Sequence, residues 1–147
     1  MKELSSTNEK LETEIVSKTE HGNALADIGK HAEALKFYAE AWSMLPPPKE
    51  QWEMLPSWIA GSCFNSYFEI GEFDMAKEWA KIALETRSSQ IDTGPIVNLG
   101  MAYHELGNEA EAFHHFEEAY SYGRERAFKE RPKKYLDFYL SKKKGGK

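Results

Sequence analysis

Few side chains in this 147-residue sequence could hold a metal ion or act as a nucleophile. A metal site needs ligands on one face, such as two His residues four apart on a helix. His114 and His115 are adjacent and are expected to point in different directions, while His104 is expected on another helix. The single Cys63 falls on an inward-facing helical position, which predicts a small buried hydrophobic residue and not a nucleophile. The sequence therefore predicts no metal site and no cofactor.

Catalytic and phosphate-binding patterns are also missing from the printed sequence. The ten Gly residues are scattered instead of being gathered in a phosphate-binding loop, and no Ser lies in a nucleophile elbow. The many Glu residues follow helical spacing, which is typical of a solvated helix face. We therefore predict no catalytic residue and no enzyme. An accessory or hydrolase role is the least favoured hypothesis, and a turnover assay with added metal would test it.

Residues 96–123 contain the pattern around which the chain is organised. Two antiparallel helices approach closely only where one side is small, so its Gly and Ala positions predict a contact line that aromatic side chains flank. Gly107 ends the first helix, where a left-handed backbone is needed. The pattern consists of Leu99, Gly100, Tyr103, Gly107, Ala112, Phe116 and Ala119. It resembles the tetratricopeptide pattern L-G-x2-Y…A-x3-F.

Two further copies of this pattern precede it. Gly71 lies 36 residues before Gly107, and Gly29 lies 42 residues before Gly71. The match around Gly29 is good, whereas around Gly71 it is looser, because Phe64 stands where a Gly is expected. The chain thus resembles a three-repeat tetratricopeptide protein. That resemblance implies an all-α, right-handed superhelix with repeats at about 15–48, 57–90 and 93–123.

The segments outside the repeats are predicted from their composition. Residues 1–14 form a polar leader, and the insertion 49–56, which follows three prolines at 46–48, separates the first two repeats. Trp52 in this insertion either folds onto the ends of neighbouring helices or stays partly exposed as a contact residue. Residues 124–141 are expected to form short helices that cap the last repeat, since a terminal repeat has no neighbour. Residues 142–147 are predicted to be a disordered basic tail.

Charge is distributed unevenly around the net value of −5. Residues 124–147 hold ten Lys or Arg and three Asp or Glu, a balance of +7, which leaves −12 on residues 1–123. An acidic body repels phosphates, so it disfavours nucleic acid and favours a basic protein partner. No apolar run approaches the length of a membrane span, and the first residues lack a signal-peptide core. We expect a cytoplasmic monomer or weak homodimer without a membrane role.

The tetratricopeptide resemblance implies a concave face lined by the first helix of each repeat. Carried onto this sequence, it implies an acidic, amide-rich partner-binding surface with apolar spots: Glu20, Asn23, Asp27, Trp58, Asn65, Phe68, Glu69, Asn98, Met101, His104 and Glu105. One subset of the family clamps the acidic tails of heat-shock chaperones with Lys and Arg. The matching positions here are Thr19, Asn23, Ser62, Gly94 and Asn98, of which Asn23 alone agrees. The resemblance to that clamp is therefore poor.

A narrower resemblance concerns the linker and the end of the chain. The stretches ALKFYAEAWSMLPPPKEQWEMLPSWIAGSCFNSYFEIGEFDMAKEWAKIAL, NLGMAYHELGNEAEAFHHFEEAY and KKYLDFYL look like those of small bacterial tetratricopeptide proteins found beside polymorphic, contact-dependent or Rhs-type toxins. That resemblance implies an immunity-type protein that binds and neutralises a basic toxin domain. The alternative is a general scaffold that binds a peptide or a complex subunit.

Overall fold

The structure, a computed structural model, describes residues 2–146 and is built from α-helices in antiparallel pairs. A short 3₁₀ turn, Lys49–Gln51, lies between the first and second pairs, and another, Arg124–Phe128, follows the third pair. The helices are α1 (Ser5–Asp27), α2 (His31–Met44), α3 (Leu55–Glu69), α4 (Phe73–Thr86), α5 (Gly94–Glu105), α6 (Glu109–Gly123) and α7 (Lys133–Gly146). This confirms the predicted all-α fold of helical repeats. Across residues 2–146, no helix is long and apolar enough to span a membrane.

Each helix pair turns at a glycine. Gly29, Gly71 and Gly107 have φ values of +82°, +83° and +82°, a left-handed backbone that residues with a Cβ rarely adopt. The backbone N–H of Gly107 donates to the carbonyl of His104 at 3.0 Å. The left-handed conformation expected at Gly107 is therefore confirmed, and the other two turns repeat it.

Helices in the first and third pairs meet where a glycine faces an aromatic ring. A Cβ added to Gly22 would lie 2.5 Å from the Tyr38 ring, and one added to Gly100 would lie 2.5 Å from the Phe116 ring. Tyr38 and Phe116 are buried. The contact line predicted from small residues is thus present in both pairs.

The second pair reverses this order of sizes. The position of Gly22 and Gly100 is taken by Phe64, and the position of Tyr38 and Phe116 is taken by Ala80. Phe64 and Ala80 are both buried and belong to the same hydrophobic cluster. In this pair the bulky residue is on the first helix, whereas in the other two pairs it is on the second.

The first residues of the chain belong to the repeat body and do not form a separate leader. Leu4 is buried, and the backbone of Lys2 pairs with the insertion, through Lys2 N–H to the Gln51 carbonyl at 2.9 Å and Glu53 N–H to the Lys2 carbonyl at 2.6 Å. Helix α1 begins at Ser5 and breaks at Asn8, whose side chain accepts from Leu11 N–H at 3.0 Å. Met1 lies outside the described residues.

Trp52 packs the insertion against the first repeat. Its side chain is buried, and its indole N–H donates to the Pro46 carbonyl at 2.8 Å. Leu4, Leu45 and Leu55 join it in one cluster. Of the two alternatives for Trp52, packing onto neighbouring helix ends is therefore correct, and the exposed contact residue is wrong.

The C-terminal segment caps the third pair with one turn and one long helix. Tyr135 and Tyr139 of α7 are buried against the cluster that contains Phe116. The segment 142–146, expected to be disordered, continues α7 instead, since Lys142 pairs with Glu109 at 3.1 Å and Lys143 with Glu117 at 3.0 Å. Lys147 lies outside the described residues.

Candidate functional site

A groove of about 1060 Å³ runs along the first helices of the three pairs. Helix α1 contributes Asn23 and Asp27, and α5 contributes Asn98 and Met101. The predicted residues that line the groove are Asn23, Asp27, Trp58, Asn65, Phe68, Glu69, Asn98 and Met101. The helical repeat brings them together because each pair presents the same side of its first helix.

The other three predicted residues lie outside the lining. In α1 the lining begins at Asn23, and Glu20, one turn earlier, is exposed beyond it. His104 packs edge-on against the rings of Tyr135 and Phe138 at 5.3 and 4.8 Å. Glu105 accepts hydrogen bonds from the cap. The expectation that His104 and Glu105 face an open groove is wrong, because α7 covers this end.

Asp27, Glu69 and Glu105 occupy the same position in the three repeats, just before each turn. Glu105 accepts from Lys134 Nζ at 2.8 Å and from the Tyr135 hydroxyl at 2.6 Å. Burial opposes the charge of Glu105, but these donors outweigh it and hold its pKa below the usual value. Asp27 and Glu69 are exposed and line the groove. The third carboxylate is thus occupied by the chain's own cap, while the first two face the groove.

Three charged residues of the groove lie in the links between helices and were not predicted from the sequence. They are Asp92, Glu130 and Arg131. Arg131 donates to Asn98 Oδ1 at 2.9 Å and to the Gly94 carbonyl at 3.3 Å. Burial lowers the pKa of Arg131, and Asp92 and Glu130 oppose that change. No helical periodicity marks link residues, so the sequence carried no signal for them.

The carboxylates outnumber the cation within this lining. Asp27, Glu69, Asp92 and Glu130 stand against Arg131, and the Arg131 guanidinium is already engaged with Asn98. Trp58 and Phe68 add partly buried aromatic surface. An acidic groove with aromatic walls suits a cationic side chain, which gains from carboxylates and from ring faces alike.

The Asn23 amide of the groove is oriented by the buried Tyr38. Asn23 Oδ1 accepts from the Tyr38 hydroxyl at 2.6 Å, which leaves the amide N–H groups of Asn23 to donate into the groove. Burial raises the pKa of Tyr38, so the hydroxyl keeps its proton and remains a donor at neutral pH. His31 Nδ1 lies 3.0 Å from Ser66 Oγ.

Cys63 lies in α3 between two residues that line the groove, Ser62 and Phe64, and its thiol is not activated. Its side chain is buried, and burial raises the pKa of its thiol to about 12. Because the thiolate is the nucleophile, a thiol with this pKa is unreactive at neutral pH. The prediction of a small buried hydrophobic residue is confirmed.

Comparisons with known proteins address the repeat pattern directly. Residues 96–131 match the tetratricopeptide repeat family model. This segment is therefore similar to a tetratricopeptide repeat. It spans α5, α6 and the 3₁₀ turn at Arg124–Phe128, and so contains both the Gly100–Phe116 contact and the turn at Gly107. No curated protein matches the chain in sequence.

Solved structures extend the tetratricopeptide fold to the other helix pairs. The second TPR of Spaghetti (RPAP3) bound to the HSP90 peptide SRMEEVD aligns with a TM-score of 0.64 at 17% identity, covering 78% of this chain and 98% of that one. MamA aligns with a TM-score of 0.63 at 14% identity, covering 97% of this chain and 84% of that one. At these identities the likeness establishes the fold alone.

Proposed function

We propose that this chain is a non-catalytic protein-binding module whose groove takes a basic segment of a partner. The observation that carries the proposal is the set of equivalent carboxylates at Asp27, Glu69 and Glu105. Glu105 already holds a Lys and a Tyr hydroxyl from α7. Asp27 and Glu69 offer the same chemistry to a ligand in the groove.

The solved neighbour with a bound peptide supports the class of function but not the class of peptide. That peptide, SRMEEVD, contains three acidic residues. An acidic tail in this groove would meet Asp27, Glu69, Asp92 and Glu130 and would be repelled. A partner rich in Lys or Arg is favoured instead, with an aromatic or aliphatic residue able to reach Trp58 and Phe68.

A direct test compares two labelled peptides of equal length, one rich in Lys and Arg and one rich in Asp and Glu. Fluorescence anisotropy should detect binding of the basic peptide, weaker at higher salt. Glu69→Lys should reduce that affinity by about tenfold, or about 1.4 kcal/mol. Glu20→Lys makes the same charge change outside the groove and should leave it unaltered. Equal losses in both variants would mean that overall charge, and not the groove, governs binding.

The narrower form of the proposal is that the partner is a basic toxin domain and the chain its immunity-type inhibitor. The resemblance of the linker and of KKYLDFYL to small bacterial tetratricopeptide proteins supports it, together with the acidic balance of −12 on residues 1–123. A pull-down from the native cell at low and moderate salt tests it. We expect one stoichiometric partner with a basic C-terminal domain, and several substoichiometric partners would favour the general scaffold.

A further inference from the structure

A cluster of metal-binding side chains lies on α6, apart from the groove. It comprises His114, His115 and Glu118, whose candidate ligand atoms all lie within 4.8 Å of one another. The two imidazole rings are 5.1 Å apart at an angle of 66°. The sequence-based expectation that adjacent His side chains point apart is therefore wrong here. It also overlooked that Glu118 follows His114 by four residues, one helical turn.

One ring of the cluster is held in place by packing. His115 stacks on Tyr103 with ring centroids 5.5 Å apart and an angle of 2°, and 15% of its side chain is exposed. Its Nδ1 is buried and finds no hydrogen-bond partner among residues 2–146. Its Nε2 lies 3.6 Å from Glu111 Oε1, too far for a good hydrogen bond. His115 is thus fixed in orientation while its nitrogens are not consumed by other contacts.

Charged groups on two helices surround His115. Glu111 and Glu118 of α6 favour a bound cation at this place, and Lys81 of α4 opposes it.

We propose that His114, His115 and Glu118 bind one divalent transition-metal ion of the Zn²⁺ class. Two imidazole nitrogens with one carboxylate oxygen form a donor set that Zn²⁺ accepts, with water in the fourth position. Ligand atoms around a tetrahedral zinc ion lie about 3.4 Å apart, given bonds of about 2.0–2.1 Å. His114 is exposed, so its side chain is free to change rotamer when an ion draws the three ligands together. The site is independent of the groove and of the partner proposed for it.

Calorimetric titration of the full, untagged chain with Zn²⁺ alone tests the site. We expect one ion per chain, with affinity reduced about tenfold or more by His114→Ala and by Glu118→Gln. His21→Ala is the matched control, since it removes a His elsewhere and should leave the titration unchanged. Titration with Co²⁺ should give a visible absorption band that the same two variants remove.

Three outcomes would overturn the proposal. Wild-type protein could show no saturable binding, His114→Ala could bind as tightly as wild type, or His21→Ala could lose affinity to the same extent. His114 is exposed, so its replacement leaves the fold intact, and circular dichroism of each variant verifies this. His115→Ala is avoided as the main variant because that ring packs on Tyr103.

Discussion

The second helix pair and the third solve the same packing problem in opposite ways. In the third, Gly100 on α5 admits the Phe116 ring of α6. In the second, the equivalent positions hold Phe64 on α3 and Ala80 on α4, and both residues are buried in one cluster. What the fold requires is one large and one small residue at the crossing, and either helix can carry the large one. The poor match of the second repeat to the family pattern is thus compatible with the same helix-pair fold.

Truncating the large residue is the strongest test of that comparison. Phe116→Ala and Phe64→Ala should each destabilise the protein by about 3–5 kcal/mol, because both rings are buried and leave a cavity. Urea denaturation followed by circular dichroism measures both. A small loss for Phe64→Ala beside a large one for Phe116→Ala would mean that the second crossing does not depend on its ring.

Enlarging the small residue should cost less. Gly100→Leu places a side chain against the Phe116 ring, where even a Cβ would lie 2.5 Å from the nearest ring carbon. Overpacking of this kind costs about 1–3 kcal/mol. The melting temperature of Gly100→Leu should fall clearly below that of wild type. An unchanged melt would contradict the crossing of α5 and α6 at this residue.

The third pair also differs from the second at the carboxylate that precedes the turn. Glu105 of the third pair is covered by α7, whereas the equivalent Glu69 of the second pair is exposed. The pKa of Glu105 is lowered, so the folded state favours its ionised form, and the resulting stability is lost as the pH falls through and below the ordinary Glu value of 4.5. Glu105→Gln should destabilise the protein by about 1–2 kcal/mol at pH 7. The difference between variant and wild type should shrink in acid.

Denaturation at pH 7 and at successively lower pH measures this difference. Glu20→Gln is the matched control, since it makes the same change at an exposed residue of α1 and should leave stability nearly unchanged. A loss at Glu105→Gln that persists undiminished in acid would show that packing, and not the ionised carboxylate, is responsible.

The helices and the groove were predictable from the sequence to different degrees. Turn glycines such as Gly107 have a local cause, and their period identified all three pairs. Leu4, in contrast, is buried by residues that are distant in sequence, and Arg131 reaches the groove from an irregular link. Glu105 follows the repeat pattern but is covered by α7. Long-range contacts of this kind leave no periodic trace in the sequence.

The smallest expected effect concerns a glycine of the second pair that lies away from the crossing. A Cβ added to Gly61 in α3 would meet nothing within 4 Å, so Gly61→Ala should stabilise the protein by about 0.5–1 kcal/mol through helix propensity alone. Gly22→Ala is the matched control, because its Cβ would lie 2.5 Å from the Tyr38 ring and should destabilise. Opposite signs in urea denaturation would separate crossing glycines from permissive ones, whereas a destabilising Gly61→Ala would mean that α3 relies on this glycine as closely as α1 relies on Gly22.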